Sequence, residues 1–523
     1  MKFSDGIVLL VNIQGGLFYC IKPLLKIYQN CSKSLEKKGW EGYYFYSANL
    51  YLLEDKSMSD MKNSPAVARI ESLLDENSFV EMGALVTARS TDFSLNEAET
   101  PSDGVVIGHG LIDGNLVFVY SQDASVLNGT IGEMHAKKIL SVYDMAMKMG
   151  APIIGMLDCA GVRLQESVDA LESMGAIYAK AVKASGIIPQ ILTVYRCGGG
   201  LTVLPSVSDF TFMEKSGVMF VNSPDSIPGN NKDKVDTSSA SFQYESGNVD
   251  FIGTEDEIFE EIRTLVTLLP GSNLEDGAID ECMDDLNRAS NDLLAKRSDP
   301  VEVAKELSDQ NVFFQVRSGY ATSMVTGFIK LNGVTVGVLG NRENADENQG
   351  TAELTPAACE KAAEFVSFCD AFDLPILTLT NIDGYTASVH AEKRLAHQLG
   401  RMVFALAEAS VPKINLITGK AFGTSYLMMN AKAIGADLVY AFPDAEMGIM
   451  QPDLAAKIIT DDASKQSEVA AEFAEVQSGV QNAARRGYID RIVNPEDARK
   501  YIIAGFEMLF TKNVDFYKKH GSK

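Results

Sequence analysis

Apolar positions along this chain switch between a helical and an extended period, and the switches recur. After Pro65, the residues Val67, Ile70, Leu73 and Leu74 follow helical spacing and predict a helix that breaks over Asp75–Phe79. Leu116–Tyr120 and Val334–Leu339 are short apolar runs, each entered through a pair, Asp113-Gly114 or Asn332-Gly333, that suits a tight hairpin turn. Ala151-Pro152-Ile153-Ile154 and Leu374-Pro375-Ile376-Leu377 open two further strands. In both cases another proline, Pro189 or Pro412, follows 37 residues after the first and opens the next strand, Ile191–Tyr195 or Ile414–Thr418. Helix-length segments, Leu171–Ala184 and Leu395–Ala409, fill the intervals. Strand, helix and strand in that order predict right-handed crossovers and hence parallel sheets.

These matches amount to an internal duplication. Asp75-Glu76-Asn77-Ser78-Phe79 recurs as Asp309-Gln310-Asn311-Val312-Phe313, and Gly108–Gly114 recurs as Gly327–Gly333. The expected organisation is an α/β protein with one half over 58–290 and a second over 291–523. The acidic stretch Asn273–Asn287 and Asp299-Pro300 connect the halves. Residues 1–57 lack a sustained period and crowd Trp40, Tyr43, Tyr44, Phe45 and Tyr46 together, so they read as an extension that the duplicated fold does not need.

Charge narrows the function. Among 523 residues, 70 are acidic against 46 Lys plus Arg, a formal net charge of −24, and that field repels nucleic acid and anionic lipid. An anionic metabolite would need a local basic mouth, because repulsion is screened within about 8–10 Å at physiological salt. The longest early apolar run, Ile7–Val11, is far too short for a membrane helix. Seven cysteines with no C-x-x-C pair argue against a zinc ribbon or a disulfide framework and fit a reducing cytoplasm.

Candidate chemistry lies where the second strand of each half runs into glycine: Cys197-Gly198-Gly199-Gly200, and Gly419-Lys420-Ala421-Phe422-Gly423-Thr424-Ser425. Helical stretches are expected to follow, over Leu201–Phe212 and Tyr426–Ile434. A strand, a glycine turn and a helix start aim unpaired N–H groups at one point, which suits an oxyanion. The plainer reading is a βα turn that needs positive φ. Neither turn has P-loop spacing, and Gly108-x-Gly110 is not followed by a glycine at the dinucleotide spacing. The pairs Glu133/His135 and Asp158/Glu166 are acid–base candidates, although hydrogen-bonded or solvated residues explain them as simply. Ala146-Met147-Lys148-Met149 is the tetrapeptide in which biotin is usually attached to lysine, but Ile139, Val142, Tyr143 and Met147 keep helical spacing through it, so Lys148 reads as a helix C-terminal cation before Gly150.

Several segments together resemble biotin-dependent acyl-CoA carboxyltransferases. Val105–Gly132, Asp158–Glu166, Ser185–Gln190 and Ser208–Phe212 are similar to the amino-terminal half of that family. Ala358–Asp370, Ala409–Ile414, Ala421-Phe422-Gly423, Gly435-Ala436-Asp437 and Arg486–Asp490 are similar to its carboxy-terminal half. The resemblance covers about 58–523. It implies two tandem crotonase-like (ββα superhelix) domains related by internal duplication, in a homo-oligomer, a hexamer, in which one subunit's first domain faces another's second. It further implies that the coenzyme A thioester lies on the first domain and carboxybiotin, borne by a separate carrier protein, on the second. A biotin carboxylase or a membrane decarboxylase subunit would be a further partner, and no metal is required. Moving CO2 to the carbon beside a thioester needs an enolate, and release of CO2 leaves a negative ureido group, so two oxyanions must be held.

Carried over by position, Gly199 and Gly200 would hold the thioester oxygen, and Thr424 and Ser425, after Gly423, the ureido oxygen. Leu427 falls where the family has a residue that influences acyl-chain choice. Arg163, Lys180 and Lys183 would neutralise coenzyme A phosphates. The chain departs from the family pattern at Gly423-Thr424-Ser425 (usually Gly-Gly-Ala), at Cys159-Ala160-Gly161 (commonly Ser-Gly-Gly) and over Ser239–Asn248, which lacks the usual histidines. A decarboxylase running the same transfer in reverse is the alternative. A hydratase or isomerase of crotonase type would need a placed Glu pair and only one repeat, and a non-catalytic scaffold binding a biotinylated partner is the remaining reading.

Overall fold

The computed structural model describes residues 9–13, 16–20, 64–89, 100–275, 282, 284–343 and 352–512. They belong to two units, Met1–Asn63 and Ser64–Lys523. In the first, β1 (Leu9–Ile13) and β2 (Gly16–Cys20) form an antiparallel hairpin; the aromatic cluster Trp40–Tyr46 lies outside the described residues, as do residues 276–281 and 283 of the acidic stretch.

The second unit contains two sheets of matching design. A seven-stranded sheet runs in the order β3 (Val80–Met82), β4 (Val105–Ile112), β5 (Asn115–Gln122), β6 (Ile153–Cys159), β7 (Gln190–Gly198), β8 (Phe210–Phe220) and β9 (Phe251–Gly253). Its first three strands are antiparallel and the rest parallel. The other sheet follows the order β10 (Phe314–Val316), β11 (Met324–Leu331), β12 (Val334–Asn341), β14 (Ile376–Ile382), β16 (Lys413–Phe422), β17 (Leu438–Ala441) and β19 (Arg491–Ile492), with β18 (Glu446–Gly448) also paired to β16. A separate parallel ribbon joins β13 (Glu353–Leu354) to β15 (Gly384–Tyr385). Each sheet is thus an antiparallel hairpin continued by parallel crossovers, as the duplicated pattern predicts.

The repeated motif has a local reason. Both hairpin turns use two residues at positive φ, Asp113 (47°) with Gly114 (82°) and Asn332 (52°) with Gly333 (77°), as a tight turn matching strand twist requires. Asp75 accepts both turn N–H groups at 3.0 Å. Asp309 does the same for Asn332 at 3.2 Å and Gly333 at 2.8 Å. Each aspartate therefore ties its helix end to its hairpin.

The crossover helices are Glu133–Met149 and Ser167–Ala184 in the first half, and Pro356–Ala371 and Leu395–Glu408 in the second. They bury apolar residues such as Ile139, Val142, Ile177 and Met402. The halves meet through an aromatic seam in which Phe210 stands edge-on to Phe368 at 4.9 Å, and through an ion pair between Asp250 and Arg317 at 3.3 Å. Two helix expectations are corrected. The stretch predicted over Leu201–Phe212 is helical only to Val207, because Gln190 and Asp209 exchange hydrogen bonds (Asp209 N to Gln190 O, 3.1 Å; Gln190 N to Asp209 Oδ2, 2.8 Å) that start β8 at Phe210. The stretch predicted over Tyr426–Ile434 splits at Asn430, which takes φ 57°.

Candidate functional site

In the first half β7 delivers Gly199 and Gly200 to a one-turn 3-10 helix, Gly199–Thr202, followed by Val203–Val207. Gly199 adopts φ +63°, and a Cβ built there would meet nothing within 4 Å, so the position needs glycine for its backbone conformation rather than for space. The turn's carbonyls are engaged: Thr202 Oγ1 donates to Gly199 O at 2.6 Å and Tyr178 Oη to Gly200 O. The first N–H groups of such a turn have no carbonyl partner inside it, and Gly200 is exposed.

Behind this turn the expected acid–base pairs are used up by structure. His135 is fully buried, its Nδ1 faces Asp103 O at 2.9 Å and its Nε2 faces Gln122 Nε2 at 3.1 Å. Burial, and then the Arg163 charge, push its pKa down to about 3, so it stays neutral. Glu166 accepts from Glu133 N–H at 2.7 Å, and Asp158 pairs with Arg69 at 3.2 Å and Arg196 at 3.4 Å. Burial also pushes the Cys159 thiol up to about 11 and Cys197 higher, which removes them as nucleophiles.

Arg163 is a correction. It does not present a cation to phosphates: its side chain is 0% exposed, with Nη1 at 2.8 Å from Glu166 Oε1 and 2.7 Å from Asp103 Oδ1. The loop after β6 folds inward and buries the charge against two carboxylates. Lys180 is partly exposed and reaches Asp144 at 2.6 Å, while Lys183, one turn on, is exposed.

In the second half β16 runs to Phe422, so the turn lies at Gly423 rather than at Gly419. A Cβ at Gly419 would come within 2.5 Å of Asn381 Oδ1, and this close cross-strand approach keeps Gly419 in the sheet. Gly423, Thr424 and Ser425 open the helix Gly423–Met428, and Gly423 takes φ +65°, matching Gly199. Ser425 Oγ donates to Phe422 O at 2.7 Å, and Tyr385 Oη donates to Thr424 Oγ1 at 3.1 Å.

Gly423, Thr424, Ser425 and Leu427 all line one cavity of about 1170 Å³, and every residue around it falls between Glu353 and Tyr488. Gly199, Gly200, Lys180 and Lys183 are not among them, so the two turns do not share this cavity within one chain. Sequence reasoning missed Tyr385, Asp383 and Gln451, which line it too. Asp383 accepts from Gln451 Nε2 at 2.7 Å and pairs with Lys420 at 3.0 Å. The available signal was an Asp-Gly-Tyr following a strand end, Asp383-Gly384-Tyr385.

The carboxyl transferase domain family model fits residues 60–522, which include both glycine turns. The chain is a carboxyltransferase of that family. It is 36% identical over 470 residues to methylmalonyl-CoA decarboxylase subunit alpha of Veillonella parvula, covering 87% of this chain and 92% of that one. It is 36% identical over 478 residues to the propionyl-CoA carboxylase beta chain of Roseobacter denitrificans, covering 86% and 92%. Transcarboxylase 12S, solved as a hexamer with hydrolysed methylmalonyl-coenzyme A bound, superposes with a TM-score of 0.84 at 31% identity, covering 92% of this chain and 99% of that one. The carboxyltransferase is an enzyme, and its two halves are crotonase-like.

Proposed function

We propose that the enzyme moves CO2 between carboxybiotin on a separate carrier protein and the α-carbon of a short acyl-CoA. The acyl-CoA would be held by the first half (58–290) and carboxybiotin by the second (291–523). The observation that carries this reading is the pair of matched glycine turns, Gly199 at φ +63° and Gly423 at φ +65°, each opening a helix at the end of a parallel strand.

When bound, carboxybiotin supplies CO2 and a base for the α-proton. The chain's own part is electrostatic. N–H groups of Gly199 and Gly200 would hold the thioester oxygen, where negative charge develops as the α-proton leaves. N–H groups of Thr424 and Ser425 would hold the ureido oxygen. Main-chain donors at helix starts are fixed before charge appears, and one such donor is worth about 3–4 kcal/mol. The cavity of the second half would suit a bicyclic urea with an apolar tail, since Phe422, Leu427, Met447 and Leu454 line it beside Tyr385 and Gln451. Lys180 and Lys183 remain as the cations toward coenzyme A phosphates, and Leu427 as the residue bearing on acyl-chain size.

Because the Gly199–Gly200 turn does not line the cavity that holds Gly423, Thr424 and Ser425 within one chain, we take the working site to be completed by a second copy. Beside the second cradle, Ile449, whose carbonyl faces Gly423, is 80% exposed, as an apolar residue covered by a second copy would be. We take the assembly to be a hexamer, as in the transcarboxylase 12S structure. The five cysteines whose side chains are described are all free thiols, which supports a cytoplasmic location.

The same cradles hold the same charges in either direction, so a decarboxylase taking CO2 from methylmalonyl-CoA would use identical residues, and the Veillonella relative favours that second reading. The test is transfer of label from carboxyl-labelled methylmalonyl-CoA or malonyl-CoA to free biotin or a biotin carrier. Label on biotin is expected; none with any acyl-CoA would leave the scaffold reading.

A further inference from the structure

The second cradle holds two hydroxyls, and their surroundings separate them. Ser425 Oγ gives its proton to the Phe422 carbonyl at 2.7 Å, in a buried position, so only its N–H is left for a ligand. Thr424 is exposed toward the cavity, and its Oγ1 accepts a hydrogen bond from Tyr385 Oη at 3.1 Å. A hydroxyl that accepts from one side keeps its own proton for another acceptor, and an O–H already accepting a hydrogen bond is polarised into a better donor.

Tyr385 is held in place by its neighbours. On either side of it, Asp383 N donates to Ala352 O at 2.7 Å and Thr386 N to Leu354 O at 3.1 Å, which fixes the β13–β15 ribbon. The Asp383 carboxylate is tied to Lys420 at 3.0 Å and to Gln451 at 2.7 Å. The tyrosine ring therefore approaches the helix start from a braced strand, and its oxygen meets Thr424 on the cavity side.

We infer that the Thr424 hydroxyl is a third hydrogen-bond donor to the oxygen stabilised by the second cradle, with Tyr385 as the positioning residue that aims it. This rests on the carboxyltransferase reading of that cradle. No proton is transferred by Thr424: its O–H bond stays intact, and the hydrogen bond strengthens as charge grows on the acceptor. A donor of this kind acts more on the transition state than on binding of the neutral urea, so two measurements respond unequally.

The variants Thr424→Val, Thr424→Ser and Tyr385→Phe are compared with the unaltered enzyme. Readouts are label transfer from methylmalonyl-CoA to free biotin, the affinity for radiolabelled free biotin by equilibrium dialysis, and the thermal midpoint. T424V is expected to lose about 100-fold in kcat. Its biotin affinity falls only about 3- to 10-fold, and KM for acyl-CoA is unchanged. T424S keeps its hydroxyl and is expected within about 3-fold of the unaltered enzyme, whereas Y385F lies between the two, near 10-fold, with its thermal midpoint preserved. If T424V transfers label and binds biotin like the unaltered enzyme, or if T424S is as impaired as T424V, the hydroxyl has no such role. If the unaltered enzyme itself moves no label, the carboxyltransferase reading of the cradle fails instead.

Discussion

Asp309 and Arg499 make, in the second half, the contact that Asp75 and Arg263 make in the first: each aspartate grips its hairpin turn with one face and an arginine from a later helix with the other. The two copies differ in burial. Arg499 is 0% exposed, whereas Arg263 is 27% exposed and Asp75 29%. Removing Asp309 leaves a buried guanidinium with Asp284, 3.5 Å away, as its one carboxylate partner among the described residues, while removing Asp75 leaves a partly exposed one still paired with Asp113 at 2.6 Å. Asp309→Ala is therefore expected to cost about 3 kcal/mol and Asp75→Ala about 1 kcal/mol. Urea midpoints of the two variants check this, and equal losses would mean that burial of Arg499 is not what matters.

Gly200→Val tests the first cradle. A Cβ at Gly200 comes within 3.3 Å of Tyr178 Oη, and the larger side chain covers the N–H groups while the turn itself stays exposed. Transfer is expected to fall at least about 100-fold with the oligomer and thermal midpoint kept. Unchanged turnover, by the radiolabel assay, removes Gly200 from the site.

Leu427 lines the cavity of the second half beside Thr424 and Ser425. Shortening it to alanine removes the isopropyl end, so the ratio of butyryl-CoA to propionyl-CoA turnover is expected to rise about 10-fold, since each methylene is worth about 1–3 kcal/mol. The ratio of the two kcat/KM values measures it, and an unaltered ratio puts acyl discrimination elsewhere.

Lys148 sits in the last turn of the helix Glu133–Met149, which Gly150 closes at φ 63°. A biotin ligase needs its lysine on an exposed hairpin, and this one is bound into a helix. Avidin blots of the purified chain, co-expressed with biotin ligase, are expected to be negative; a positive band abolished by Lys148→Arg would contradict this.

Local signals carried much of the fold. The Asp-Gly and Asn-Gly turns, the paired aspartates and the 37-residue proline spacing all report backbone geometry that a few neighbouring residues determine. What escaped was set by distant partners. Arg163 reads as a surface cation until Asp103, from 60 positions earlier, folds over it. Tyr385 lies 39 residues from the hydroxyl it meets, and the Asp383-Gly384-Tyr385 triplet at the strand end does not announce that partner. The reach of β16 to Phe422 depends on β18, which pairs with its last three residues. The glycine turns were legible because positive φ leaves a residue-type signature, whereas side-chain pairing does not.

Asp209 gives a prediction about pH. Burial, the largest influence, pushes its carboxyl up to about 7; the Gln190 N–H pulls it down and the Asp250 charge pushes it further up. An unfolded chain releases that proton near pH 4. Between about pH 4 and 7 the native protein thus holds a proton that the unfolded chain has lost, so this group's contribution is most favourable below that window and declines as pH rises through it. His135 acts in the opposite sense. Its native value near 3 lies below the ordinary 6.5, so its contribution is lost as pH falls from about 6.5 toward 3. The two opposing slopes hide each other in the unaltered protein, and only substitution separates them. Asp209→Asn keeps an oxygen for the Gln190 N–H and removes the ionisation, so it is expected to be about 2–4 kcal/mol more stable than the unaltered enzyme at pH 8 and nearly equal at pH 4. Urea midpoints at both pH values measure the difference; a gain of the same size at pH 4 would mean that Asp209 acts through packing and not through its proton.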